Sequence, residues 1–296
     1  MPAQVSACIV NWNTREQLLR CIGALLASDI AERAEIIVVD NASGDGSAGA
    51  VAEAFAERVT LVANGENRFY AAANNQAFAL AAGEYVLILN PDAYVAPDAI
   101  SRLITCLAGA PKAAAAAPQL VLPNGTVQRS CRRFPSPWWL FCEATLLRRV
   151  LPRTRLFGGY LYGEWDMSTP RAVDQPMASC LLIRSEDLRT AGGFDEAFPM
   201  FFNDVDLCFR LADGGTKVLY VPTAKCLHDH AASTRQARAA MVAQSNRSFA
   251  GFYRKHYRGR IPWACYCFSV CLIRGGGAVR WAIARFRESL PGRRSR

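Results

Sequence analysis

Four polar clusters in this chain have the residue types and spacing to do chemistry. Asp40 follows the expected strand 35–39, and a carboxylate there can accept the imide N–H of a pyrimidine ring, with Asn11, Asn13 and Asn41 supplying amides for base and ribose. Asp40 is equally suited to start an Asx-type turn. Asn90-Pro91-Asp92 follows the apolar run 85–89 and sets an amide beside a carboxylate. Hard oxygen ligands of that kind suit Mg²⁺ or Mn²⁺, ions that neutralise a nucleotide diphosphate as it leaves. Asn-Pro is also a common turn opener. Asn203-Asp204-Val205-Asp206 puts Asp204 in the first turn of an expected helix, where the macrodipole favours an anion whether or not it serves catalysis. As a catalyst, Asp204 would deprotonate an attacking hydroxyl. His228, beyond the last expected strand, can complete the coordination of a metal or hydrogen-bond a phosphate.

These clusters need elements to carry them, and the first hundred residues supply alternating strands and helices. Residues 5–10 form a continuous apolar strand; Leu18, Leu19, Ile22, Leu25 and Leu26 mark one face of a helix that Thr14-Arg15-Glu16-Gln17 opens as a capping box. Strands at 35–39, 59–62 and 85–89 follow, separated by a helix through Phe55 and an Ala-rich helix from about residue 71. A parallel α/β sheet results, and in such sheets ligands bind beyond the carboxyl ends of the strands. All the polar clusters of this half lie there. Past Pro111 the pattern loosens to a hairpin around Pro123-Asn124-Gly125, and 136–172 resists assignment. An apolar strand at 179–183, a loop at Gly192-Gly193, a helix capped by Asn203 and a strand at 217–221 leading to His228-Asp229-His230 complete the pattern.

A length of 296 residues with 51% hydrophobic and 20% charged residues excludes a disordered chain and fits one large α/β domain with an appendage. The net charge of +9 is unevenly spread: residues 254–296 hold ten Arg, one Lys and one Glu, so the preceding 253 residues sum to −1. Within that tail the 13-residue apolar run 261–273 falls short of the roughly 20 residues that span a bilayer. With flanking Arg and interfacial Trp it reads as a segment lying on an anionic membrane surface, or else as a solvated basic terminus with one helix packed on the globule. A nucleic-acid arm has no use for the cluster of Trp263, Tyr266, Phe268, Val270, Leu272 and Ile273, so no nucleic-acid partner is expected. The eleven scattered cysteines are expected as buried thiols in a reducing compartment, and the absence of a basic leader before the first strand points to a cytoplasmic chain. Gly44-Asp45-Gly46-Ser47-Ala48-Gly49 matches GxGxxG. It follows the second strand instead of the first and begins five residues late, which argues against a dinucleotide site.

From residue 5 to about 257 the chain resembles family 2 glycosyltransferases of the GT-A fold, in particular their rhamnosyltransferase-like members. The likeness is carried by Val10-Asn11-Trp12-Asn13, Val39-Asp40-Asn41-Ala42-Ser43, Asn67 with Ala73-Asn74-Asn75, Leu89-Asn90-Pro91-Asp92, Gln128-Arg129-Ser130, Gly192-Gly193-Phe194-Asp195-Glu196, Asp204-Val205-Asp206-Leu207 and His228. It implies a Rossmann-like, mostly parallel mixed sheet flanked by helices, followed by a basic amphipathic helical tail. Residues 1–122 would bind a nucleotide-diphosphate sugar, 123–235 the acceptor, and 236–296 the membrane. Asp40 would read the pyrimidine, Asp92 with His228 would hold the metal, Asp204 would be the base of an inverting displacement, and Asn11, Asn13, Asn41, Ser43, Asn67, Asn74 and Asn90 would meet the donor. The expected activity is transfer of a sugar, rhamnose from dTDP-rhamnose, to a polyprenyl-linked or glycan acceptor at the inner membrane face. The alternative is a non-catalytic nucleotide-sugar or membrane-binding protein with the same fold. Four departures stand out: Asn67-Arg68-Phe69-Tyr70 replaces Asn-x-Gly-Phe, Asn203-Asp204 replaces Glu-Asp, Ala178-Ser179 replaces Gly-Ala, and Asp229 replaces the second His of a pair.

Overall fold

The computed structural model describes residues 3–229 and 238–289. His230, Arg293, Arg294 and Arg296, which enter the sequence readings, lie outside them. In chain order the strands and α-helices are β1 (Val5–Asn11), α1 (Arg15–Leu26), β2 (Ala34–Asp40), α2 (Ser47–Phe55), β3 (Val59–Ala63), α3 (Phe69–Leu80), β4 (Tyr85–Leu89), β5 (Ala93–Val95), α4 (Ala99–Ala108), β6 (Ala113–Val121) and β7 (Cys131–Arg132). Then come α5 (Pro137–Ala144), α6 (Leu147–Val150), β8 (Arg171–Val173), β9 (Gln175–Pro176), β10 (Cys180–Arg184), α7 (Ser185–Ala191), α8 (Asn203–Asp213), β11 (Lys217–His228), α9 (Arg238–His256) and α10 (Trp263–Ser289).

The chain divides into two compact units. The first comprises the described residues up to 132 with 166–199 and 203–229; the second comprises 133–165, 200–202 and 238–289. The first unit holds the main sheet, in the order β3-β2-β1-β4-β10-β6-β11-β5, with β8 beside β11. The pairs β1–β2, β2–β3, β1–β4 and β6–β11 are parallel, whereas β10 runs antiparallel to β4 and β6. All seven residues of β1 are buried, so apart from Ser6 and the terminal Asn11 the strand reads as an apolar run instead of an alternating one. The register pairs Asn11 with Asp40 and Asp40 with Ala63, and Ile9 with Leu89. The polar residues that end these strands therefore share one edge.

Several local expectations change. Thr14 does not cap α1 with its side chain; its hydroxyl donates to Asn11 Oδ1 at 2.6 Å, and Asp45 Oδ2 accepts from the Arg15 N–H at 2.9 Å instead. A carboxylate from a distant loop thus takes over the role read from the local box. The hairpin after β6 is reduced to a single bridge between Val121 and Val127. The strand expected at 217–221 runs on to His228, because it also pairs with β5. The unassigned stretch 136–172 supplies α5, whose Ser136 cap and Pro137 first residue form a standard helix start.

In the second unit α9 and α10 pack antiparallel. The Ala239 N–H donates to Glu288 Oε1 at 2.9 Å, and Arg280 reaches Asn246. α10 runs through Gly275-Gly276-Gly277, although glycines weaken helices. Gly277 is used for close approach, since a Cβ there would lie 1.2 Å from Asn246 Nδ2. The apolar stretch, expected to end after 13 residues, is thereby part of a helix long and apolar enough, by length and composition, to cross a membrane. All eleven cysteines are free, but only seven are buried; Cys265 and Cys271 are exposed because they lie on the outward side of α10.

Candidate active site

The carboxyl edge of β1 and β2 is built as a net of short polar bonds. Asn11, fully buried, donates from Nδ2 to Asp40 Oδ1 (2.8 Å) and Ser43 Oγ (3.1 Å). Asp40, 3% exposed, accepts the Ser43 N–H on Oδ2 at 2.9 Å, which is the Asx-type turn its sequence position allows. Asn13, at φ +53°, accepts the Gly44 N–H on Oδ1 at 2.8 Å, and its own N–H donates to Ser43 Oγ. Asn41 ties this loop to the next: its Nδ2 donates to the Phe69 carbonyl, and its Oδ1 accepts from the Arg68 N–H and from Asn64. Asn67 Oδ1 accepts the Phe69 N–H at 2.8 Å. The geometry gives all five side chains a loop-shaping role.

At Phe69 the chain keeps a glycine-like conformation without glycine. Its φ is +61°, and the residue is 55% exposed. Left-handed backbone costs a residue with a Cβ about 1–2 kcal/mol, and here little burial offsets it. The next residue, Tyr70, donates its hydroxyl to Asn90 Oδ1 at 2.9 Å. Burial pushes its pKa up, and the negative charges of Asp204 and, less strongly, Asp92 add to the rise. Asn74, one turn on, donates to the Tyr70 carbonyl, while its buried Oδ1 has no protein partner. An unmatched acceptor of this kind costs about 1–3 kcal/mol unless a ligand or water meets it.

Asn90 and Asp92 follow β4. Asn90 is held from the neighbouring strand: its N–H donates to the Ser179 carbonyl at 2.9 Å, and its Nδ2 lies 3.3 Å from Ser179 Oγ. The departure Ala178-Ser179 thus supplies a hydroxyl to this amide. β11 brings His228 opposite Ala93, so that His228 Nε2 approaches Asp92 Oδ1 at 3.5 Å. His228 Nδ1 lies 2.8 Å from Gln128 Oε1. With Nδ1–H donating to that oxygen, Nε2 carries the lone pair on the Asp92 side, the form a metal-ligating histidine takes. One carboxylate oxygen and one imidazole nitrogen suit a divalent first-row ion. Among the described residues no three His, Cys, Asp or Glu side chains gather, so Asp92 and His228 are a pair.

Asp204 sits in the first turn of α8. Its Oδ1 accepts the Val205 N–H at 2.8 Å, and its Oδ2 lies 3.5 Å from the Ala178 nitrogen. Burial raises its carboxyl above the ordinary range against the lowering effect of these bonds and of Arg132. The helix is anchored by Arg210, whose Nε donates to the buried Asp206 Oδ2 at 2.7 Å and whose Nη2 donates to the Gly193 carbonyl at 2.8 Å. Asn75 clamps the same loop through two 2.9 Å bonds to the Phe194 backbone. The four-residue spacing of Asp206 and Arg210 was the available signal for that anchor. Tyr70, Gln128 and Ser179 had none, since their partners are distant in the chain.

A mostly parallel sheet with polar loops along one edge is an architecture that nucleotide-sugar-dependent transferases share with many other α/β proteins. The mannosyltransferase PcManGT from Pyrobaculum calidifontis, solved with GDP-Man and Mn²⁺, has the same fold: TM-score 0.62 and 22% identity over 98% of this chain and 77% of that one. GalNAc-T7, solved with UDP, GalNAc and Mn²⁺, has a TM-score of 0.62 at 14% identity, over 90% of this chain and 54% of its own. Residues 6–159 match Glycosyl transferase family 2, and the chain belongs to that family. It is 31% identical to the N-acetylglucosaminyl-diphospho-decaprenol L-rhamnosyltransferase of Mycobacterium tuberculosis over 86% of each chain. It is 29% identical to the O-antigen biosynthesis protein RfbC of Myxococcus xanthus over 82% of this chain and 19% of that protein. The chain is a glycosyltransferase with rhamnosyltransferase relatives.

Proposed function

We propose that this glycosyltransferase moves a sugar, rhamnose from dTDP-rhamnose, onto a polyprenyl-linked or growing glycan acceptor of the cell surface, working on the inner face of the membrane. The observation that supports the reading is the strand edge that carries Asp40, Asn90 and Asp92, with His228 of β11 brought to Asp92. Asp40 accepts the pyrimidine imide proton on a lone pair left over from its internal bonds, with Asn13, Asn41, Ser43 and Asn67 shaping the wall and Asn11 holding Asp40 in place. The unmatched Oδ1 of Asn74 and the amide of Asn90 meet the rest of the donor. Asp92 and His228 would hold a Mg²⁺ or Mn²⁺, and such an ion would neutralise the charge of the departing diphosphate. Asp204 takes the proton of the acceptor hydroxyl as that oxygen attacks the anomeric carbon and the bond to the nucleotide diphosphate breaks, inverting the centre without a covalent enzyme intermediate.

In this reading residues 1–122 serve the donor and 123–235 the acceptor. Residues 236–296 hold the enzyme on an anionic membrane, where a lipid-bound acceptor is found. Relatives named for a decaprenol-linked substrate and for O-antigen biosynthesis support the acceptor class. The test is release of nucleotide diphosphate from dTDP-rhamnose in the presence of polyprenyl-diphosphate-linked acceptors. Asp204→Asn should lower turnover by about a hundred- to ten-thousand-fold, and Asp92→Asn should abolish the response to added Mg²⁺ or Mn²⁺. Full activity in both variants would sink the mechanism.

A further inference from the structure

We propose that the segment 138–156, spanning most of α5, α6 and the residues beyond it, is a second membrane-contact element that inserts apolar side chains into the interfacial layer of an anionic bilayer. The inference rests on the membrane attachment proposed above and assigns part of it to residues outside the tail. Among the described residues fifteen large apolar side chains are exposed, and eleven of them belong to the second unit, which has under a third of the described chain. Five fall within this segment: Trp138, Leu146, Val150, Leu151 and Leu156. Val150 is 71% exposed. Leu146 holds a left-handed backbone, φ +61°, while half of it faces outward, so its strain is not offset by burial.

Charge decides the occupant. Arg148, Arg149, Arg153 and Arg155 are interleaved with these apolar residues. Segments 133–165 and 238–289 together hold 15 Arg and Lys against three Glu, +12, whereas the described residues of the first unit hold 15 basic and 22 acidic residues, −7. Bulky apolar groups mixed with arginine fit the boundary between acyl chains and anionic headgroups. The segment is continuous with the tail, since α5 packs on α10 through Phe141 and Phe268, their ring centroids 6.4 Å apart. The same packing favours contact in the membrane plane over a crossing. α9 lies along α10, and an upright α10 would carry Gln244, Asn246 and Arg247 of α9 into hydrocarbon.

Hydrogen exchange of the full chain, with and without phosphatidylcholine vesicles containing phosphatidylglycerol, tests this. Protection of 146–156 together with α10 is expected, and Val150→Asp with Leu151→Asp should weaken vesicle partitioning by about tenfold. Leu146→Gly should also weaken partitioning while holding or raising Tm, which separates lost contact from lost fold. Protection confined to α10, or wild-type partitioning by these variants, overturns the proposal and leaves the tail's role standing. A full chain that ignores anionic vesicles overturns both. Equal protection without vesicles at raised protein concentration would assign the surface to a second copy of the chain and overturn it as well.

Discussion

Asp204 is under two opposed demands, because the burial that makes its carboxylate a stronger base also makes it expensive to keep ionised. A folded-state pKa above the unfolded one contributes stability at low pH that is lost as pH rises through the folded value. Near neutrality Asp204→Asn should therefore raise Tm while removing activity. The acid limb of kcat/KM in the unaltered protein should fall above the ordinary carboxylate range. A variant that is both inactive and less stable would point to a structural role. Phe69 offers a second balance: Phe69→Gly should stabilise the fold by about 1 kcal/mol in chemical denaturation by releasing its left-handed backbone. Asp40, Asn90, Asp92, Asp204 and His228 could be picked out as candidates because each stands where an element begins or ends. What sequence hid was how they are held. Gln128 meets His228 across 100 residues and Ser179 meets Asn90 across 89, and no local pattern encodes such pairings.

At the scale of elements, β1, β2 and β4 were readable from apolar runs because strands buried on both faces carry few polar residues, whereas β3 lies at the sheet edge with none of its residues buried. Capping was not readable, since Thr14 turns to Asn11 and leaves α1 to Asp45. The apolar run read as 261–273 is carried on by α10 through Gly275-Gly276-Gly277, where Gly277 lets Asn246 of α9 approach closely. Nothing lies near a Cβ built at Gly275 or Gly276. Alanine at each should therefore add about 1 kcal/mol of helix stability, read as a gain in far-UV circular dichroism or Tm of the full chain. An unchanged signal would mean that the helix is interrupted there in solution.

For the whole molecule, the charge boundary differs from the one the linear sum suggests. A neutral body with a basic tail becomes an acidic sheet unit and a basic helical unit that recruits residues 133–165 from mid-chain. Deleting residues 259–296 should release the protein from anionic vesicles, and raising salt should weaken binding of the intact chain without abolishing it, because apolar contact remains once the charges are screened. Sedimentation with vesicles over a salt series measures both effects. The exposed Cys265 and Cys271 give α10 a built-in chemical label. A water-soluble maleimide would alkylate them in the free protein, and occupancy of the outer face of α10 would slow that reaction without any residue being changed.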